Sequence, residues 1–421
     1  MDRFLSHYAA VCVLALFLGI QYKIGVVLRP FDALVGLGGL FLIGRASVRG
    51  RIDRLRKPTV YYFFVVTYTY RCVNALFLSG TGIAIKEVLQ LIEFLLLAHL
   101  IAVSTLTSEY RRLFFRTLLI GSGLLALGAV AWHISNGYYA GYKQLGDTKF
   151  AFSLFALLTL GSFLRGESRY TGLVLLGALV LTVLSGERKG WVAILGGGGL
   201  MYFVHHGRSI RRLFSIILRP RVFLGGAAVI AAVAAVGLQF EYVSRQFETV
   251  GDVYVLLSNF DLRMDLSAFE TSGSNLARLY ILLFTVRTAL IHPWFGVGTG
   301  RWHDALADMT YSGKAQYMAG AHSEYQRFTV ENGLTGLGLY VLTWVEAVRD
   351  AIRRYHRTAS RNETRRLEIA GLSLFGALIN LFLGGGALNI LFMALAVGLL
   401  VGLENETDRK EQLTTASLDS E

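Results

Sequence analysis

The sequence predicts an all-α polytopic membrane protein of about twelve transmembrane helices, with one large extramembrane segment between spans 9 and 10. Three observations predict it. Hydrophobic residues make up 54% of the 421-residue chain and charged residues only 17%, with a mean hydropathy of +0.50. Apolar runs near the length of a membrane crossing recur from one end of the chain to the other. The basic residues collect in short loops between those runs, and alternate loops carry them.

The net charge of +12 therefore reads as positive-inside patterning, not as a nucleic-acid surface. The two cysteines, Cys12 and Cys72, both lie in apolar runs and form no disulfide framework or metal motif. The first apolar run lacks a small-residue cleavage site and leads straight into a second, so it reads as a retained span.

The expected spans are about 4–20, 25–44, 59–79, 84–103, 117–134, 150–164, 170–184, 190–205, 222–239, 327–348, 367–383 and 388–403. Arg29-Pro30 falls near the outer end of span 2. The loops at 45–58, 104–116, 206–221 and 349–366 are rich in arginine, which places them and both termini in the cytoplasm. Span 9 is rich in Ala, Val and Gly, a composition that suits close helix packing in lipid. Residues 240–326 form the outer segment, read as carrying amphipathic helices, and 404–421 form a polar cytoplasmic tail expected to be disordered. No internal repeat is apparent.

Chemistry-bearing residues concentrate on the outer side. A helix is expected from Leu276 to Ile291, stopped by Pro293. It sets Arg278, Thr285 and His292 on one face and Arg287 on the other. FGVGTG (295–300) reads as a flexible glycine-rich bend. Ser323 and Gln326 have the spacing of a capping box, which puts His322 just before the first turn of span 10, at the membrane surface. Histidine there is suited to taking a proton near neutral pH. Glu331 follows about two turns deeper, where a carboxylate is expected to be paired. Arg188 and Lys189 stand at the mouth of span 8, an unusual excess of positive charge for the outer side. Arg71, Lys86 and Glu87 are polar groups in or beside spans 3 and 4, expected to pair among themselves.

HPWFGVGTG (292–300) followed by AHSEYQRFTVENGLTGLG (321–338) resembles the O-antigen ligase superfamily. The family motif, His then a small polar residue, nine residues, Gly, two residues, Gly, is matched by His322, Ser323, Gly333 and Gly336. Leu337 stands where the ligases often have Thr. Glu187-Arg188-Lys189-Gly190 resembles the arginine-containing element before span 8, and Arg278 resembles the family's outer-loop arginine.

The resemblance implies a glycosyltransferase of the GT-C type in the bacterial inner membrane, with its active site facing the periplasm. The donor would be a glycan on undecaprenyl pyrophosphate and the acceptor a sugar of the lipid A core. Such enzymes are regarded as inverting and metal-independent, so no cofactor is expected. His322 would be the catalytic base. Arg188 and Arg278 would neutralise the pyrophosphate, since guanidinium forks suit phosphate oxygens. Lys189, Arg287, Lys86 and Glu331 are weaker candidates. Polymerases that extend a lipid-linked repeat unit share the histidine motif; the compact single outer segment favours a ligase. A transporter is a third reading, with Arg71, Lys86 and Glu93 lining its path.

Overall fold

The computed structural model describes residues 2–18, 22–24, 26–44, 50, 52–53, 55–135, 148–184, 188–206, 274–309, 321, 323–356, 365–381 and 387–418. The expected span 9, most of the outer segment and His322 lie outside them.

The described helices are α1 (Asp2–Leu16), α2 (Pro30–Gly44), α3 (Thr59–Leu78), α4 (Thr81–Ser104), α5 (Ser108–Ser135), α6 (Lys149–Leu164), α7 (Thr171–Leu184), α8 (Arg188–His206), α9 (Ser274–Ile291), α10 (Trp302–Met309), α11 (Glu324–His356), α12 (Arg366–Ile379) and α13 (Ala387–Leu418). The all-α expectation needs one small correction. Two short strands, β1 (Tyr22–Ile24) and β2 (Val26–Leu28), form an antiparallel hairpin where span 2 was expected to begin. The helix starts instead at Pro30, whose fixed φ suits a first helical turn. Asp32 Oδ2 accepts the Arg29 amide at 2.8 Å just before it.

Large apolar side chains face outward, Phe77 at 79% and Leu195 at 76% exposure, as expected where lipid is the solvent. Among the described residues, three helices are long and apolar enough to cross a membrane by length and composition, at Thr81–Ser104, Ser108–Trp132 and Leu388–Glu406. The other described helices at expected spans are shorter or more polar. The Leu388–Glu406 stretch is 89% buried, so α13 is the central post around which the other helices pack. Small residues permit the closest approaches. A Cβ on Gly197 of α8 would lie 2.7 Å from the Gly371 carbonyl oxygen of α12.

Contacts between helix ends sort into two groups. At one end Ser6 donates to the Ser104 carbonyl, Arg111 pairs with Glu406 at 2.8 Å, Asn405 bonds the backbone of Arg56, and Arg354 pairs with Glu404. Arg165 pairs with Glu368 and Glu167 there, and Arg365 joins both. Burial pushes the Glu167 carboxyl up, but the Arg165 and Arg365 guanidiniums outweigh it and hold that carboxyl below its ordinary range. At the other end Thr148 donates to the Phe17 carbonyl, Trp191 to the Thr182 carbonyl and Ser323 to the Asn380 carbonyl. These pairs join ends that the sequence alternation puts on the same side. The tail departs from expectation: helix α13 runs on to Leu418, past its anchors at Glu404, Asn405 and Glu406.

Candidate functional site

Span 10 is not one straight helix. Within α11, Gly333 has φ 67° and ψ −169°, a conformation that L side chains avoid. Phe328 and Tyr340 stack with ring centroids 4.2 Å apart, and Tyr325 meets Tyr340 at 5.1 Å. Twelve residues of straight helix would separate such rings by about 18 Å. The limb 324–332 therefore folds back along the limb 334–356, with Gly333 at the tip. Residue 324 starts the first limb at the depth of Asn380, whose carbonyl accepts the Glu324 amide at 3.0 Å.

A broken helix leaves carbonyls and amides without intrahelical partners, and in lipid each costs several kcal/mol. The HPWFGVGTG stretch closes them. The Val297 amide donates to the Val330 carbonyl at 2.9 Å, and the Gly298 amide to the Glu331 carbonyl at 3.0 Å. The Leu334 amide donates to the Pro293 carbonyl at 2.7 Å, and Tyr70 OH to the Asn332 carbonyl at 3.0 Å. Gly296, at φ 68°, approaches so closely that an added Cβ would lie 2.6 Å from the Asn332 nitrogen. Asn74 ties this strap to α3: its Nδ2 donates to the Phe295 carbonyl at 2.8 Å, and its Oδ1 accepts the Thr299 amide at 2.7 Å. The Thr299 hydroxyl donates to Asn332 Oδ1 at 2.7 Å. The expected flexible bend is thus a fixed strap, because its glycines serve close backbone contact.

Beneath the strap five charged side chains meet. Arg71 of α3 reaches Glu87 of α4 at 3.1 Å, Glu324 at 3.4 Å and Glu331 at 3.9 Å. Arg327 reaches Glu331 at 3.1 Å and Glu324 at 3.5 Å. Asn389 of α13 donates to the other Glu324 oxygen at 2.8 Å. The Arg71 guanidinium also lies over the Phe328 ring at 5.0 Å. Arg71, Glu87, Glu324 and Glu331 are buried. Ions so enclosed hold only while every partner is present. The cluster joins the first limb of the fold-back to α3, α4 and α13.

Of the residues expected to act, Glu331 is the one whose surroundings are fully drawn: it pairs with Arg327 and Arg71, which answers its expected need for a partner. Arg71 and Glu87 pair as expected, and Lys86 is exposed. Arg287 is half-buried on α9. Arg188 and Lys189 open α8, and Arg278 lies in the first turns of α9; the side chains of Arg188 and Arg278 lie outside the described set. The expected capping box is not how the limb begins. Ser323 instead donates its hydroxyl to the Asn380 carbonyl at 3.3 Å.

Backbone placement relates these elements. Helices α8 and α12 pack antiparallel, Gly196 against Leu378 and Met201 against Gly371, so Arg188 stands at the Asn380 end of that pair. Asn380 holds Ser323, the neighbour of His322 in sequence. Ile281 and Phe284 of α9 share one apolar cluster with Ala321 and Val330, which sets α9 against the first limb. His322 itself lies outside the described residues. Sequence reasoning missed Tyr70, Asn74, Glu324, Arg327, Asn332 and Asn389. The spacing of Glu324, Arg327 and Glu331, three and four residues apart within an apolar span, was the available signal. No group of metal-ligating side chains occurs among the described residues.

No curated protein matches the chain. A family model described as O-antigen ligase matches residues 172–341. The matched stretch contains Arg188, Arg278, the strap, His322, Gly333 and Gly336; Tyr70, Arg71, Asn74 and Glu87 lie before it. With that match, the stretch that builds the strap and the broken helix is similar to the O-antigen ligase family.

Proposed function

We propose that the protein is a membrane glycosyltransferase of lipopolysaccharide assembly, an O-antigen ligase. It would move a glycan from undecaprenyl pyrophosphate to a lipid A core sugar at the periplasmic face of the inner membrane. The observation that carries this reading is the family match over 172–341, which encloses Arg188, Arg278 and the His322–Gly336 spacing together.

In this reaction the acceptor hydroxyl oxygen bonds to the anomeric carbon from the face opposite the leaving group. The bond from that carbon to the pyrophosphate oxygen breaks, and undecaprenyl pyrophosphate leaves with the electron pair. His322 takes the acceptor proton, a role worth about 10²–10⁴-fold in rate. Arg188 and Arg278 offset the charge gathering on the pyrophosphate. Support for a fixed base comes from the anchoring of its sequence neighbours: Ser323 and Glu324 are both bonded to the Asn380 carbonyl. The single outer segment read from the sequence favours a ligase over a polymerase within the same superfamily.

A deletion strain complemented with wild type or His322→Ala tests the reading by gel analysis of lipopolysaccharide and of lipid-linked glycan. The proposal predicts that the variant leaves lipid A without polymer while long chains accumulate on the polyprenyl carrier. Accumulation of single repeat units would assign a polymerase instead. Full rescue by His322→Ala would remove the proposed base.

A further inference from the structure

A groove of about 510 Å³ runs along the second limb of α11 where it faces α12. Val341, Val345 and Ile352 line one wall and Leu374 the other. From Val341 to Ile352 the apolar wall extends roughly 16 Å. Tyr325 of the first limb closes the upper end, its hydroxyl donating to the Ala377 carbonyl at 3.1 Å. The lower end is different. Arg349 and Arg353, both exposed, border it one helical turn apart, and Arg349 also pairs with Glu346 at 2.7 Å.

We propose that this groove binds an anionic phospholipid, one acyl chain along the apolar wall and the phosphate at Arg349 and Arg353. The lining fits a hydrocarbon chain and offers a polar head nothing until the arginines are reached. The arginines carry the complementary charge, Arg349 sharing its own with Glu346. Polarity selects among lipids. The charged end of the groove lies away from Ser323 and the strap, whereas the carrier lipid of the proposed reaction needs its pyrophosphate beside His322. A phospholipid of the opposite leaflet has its head where the arginines are. Its chain would press on Tyr325, the second residue of the first limb, and so steady the fold-back from below.

Native mass spectrometry of the purified full chain, exchanged against phosphatidylglycerol or phosphatidylcholine, tests the site without any transfer assay, so its failure leaves the proposed reaction untouched. Wild type is expected to retain phosphatidylglycerol in preference. Arg349→Gln with Arg353→Gln should reduce that preference by about fivefold per arginine removed. Val345→Trp, which fills the groove from an exposed position, should reduce retention of both lipids. Equal retention of the two lipids by wild type would overturn the proposal. So would an unchanged preference in the arginine variant, or capture of undecaprenyl phosphate ahead of phosphatidylglycerol.

Discussion

Glu324 shows what single residues do here. It accepts from Asn389 at 2.8 Å and lies near both Arg71 and Arg327, with no exposure to solvent. Replacing it by Leu would leave two guanidiniums short of a partner, a change that costs about 3–5 kcal/mol in buried pairs. Thermal unfolding in detergent should show a large loss for Glu324→Leu and a smaller one for Glu324→Gln, which keeps the shape and an acceptor. Gly333 is constrained by its backbone. At φ 67°, with the Phe295 nitrogen 2.6 Å from an added Cβ, Gly333→Ala combines about 1–2 kcal/mol of left-handed strain with a clash against the strap. The variant should unfold at lower temperature and lose transfer activity together. Glu167 behaves in the opposite electrostatic sense from a buried acid. Its carboxyl is held below the ordinary range, so the stability it adds is full above that range and is lost as pH falls through the lowered value. Because this side chain is 38% exposed, the effect is small, under about 1 kcal/mol. The melting-temperature gap between wild type and Glu167→Gln should therefore close on acidification to below about pH 4.

At the scale of elements, packing depends on small residues and on closed backbone ends. Gly197 lets α8 and α12 touch backbone to backbone, so Gly197→Leu should separate them and lower the unfolding temperature. The strap is the second element-scale device, and Asn74→Ala removes its tie to α3. Much of this level was legible in the sequence. Helices α3, α4, α6, α7 and α8 begin and end within a few residues of the expected spans, because apolar run length and flanking arginines report them directly. The fold-back in span 10 was not legible. Hydrophobic periodicity continues through Gly333, and a glycine inside an apolar run reads equally as tight packing or as a turn. Only the paired amides and carbonyls of the strap distinguish the two. For the same reason FGVGTG read as a bend when it is a fixed partner of the break.

Across the whole molecule, buried arginine–glutamate pairing occurs at both ends, beneath the strap at one and among the arginine-rich helix ends at the other. Arg111, Arg165, Arg354, Arg365 and Arg366 are tied to glutamates at one end. The strap, the fold-back and the opening of α8 gather at the other, with α9 packed along the first limb. The candidate residues were read as a set because the alternation of basic loops in the sequence puts them on one side. The cluster that anchors the neighbours of His322 was less so, because its members come from α3, α4, α11 and α13, far apart in sequence. Long-range convergence leaves no local pattern to read.

The central claim, transfer of a carrier-linked glycan to lipid A core, is tested most directly by reconstitution. Purified protein in lipid is given a defined undecaprenyl-pyrophosphate glycan and lipid A core, and products are separated by gel and mass. The account predicts glycan joined to lipid A core with release of undecaprenyl pyrophosphate, and loss of that product with His322→Ala while the variant remains folded. Elongation of the carrier-linked glycan with none on lipid A, or undiminished transfer by His322→Ala, would contradict it.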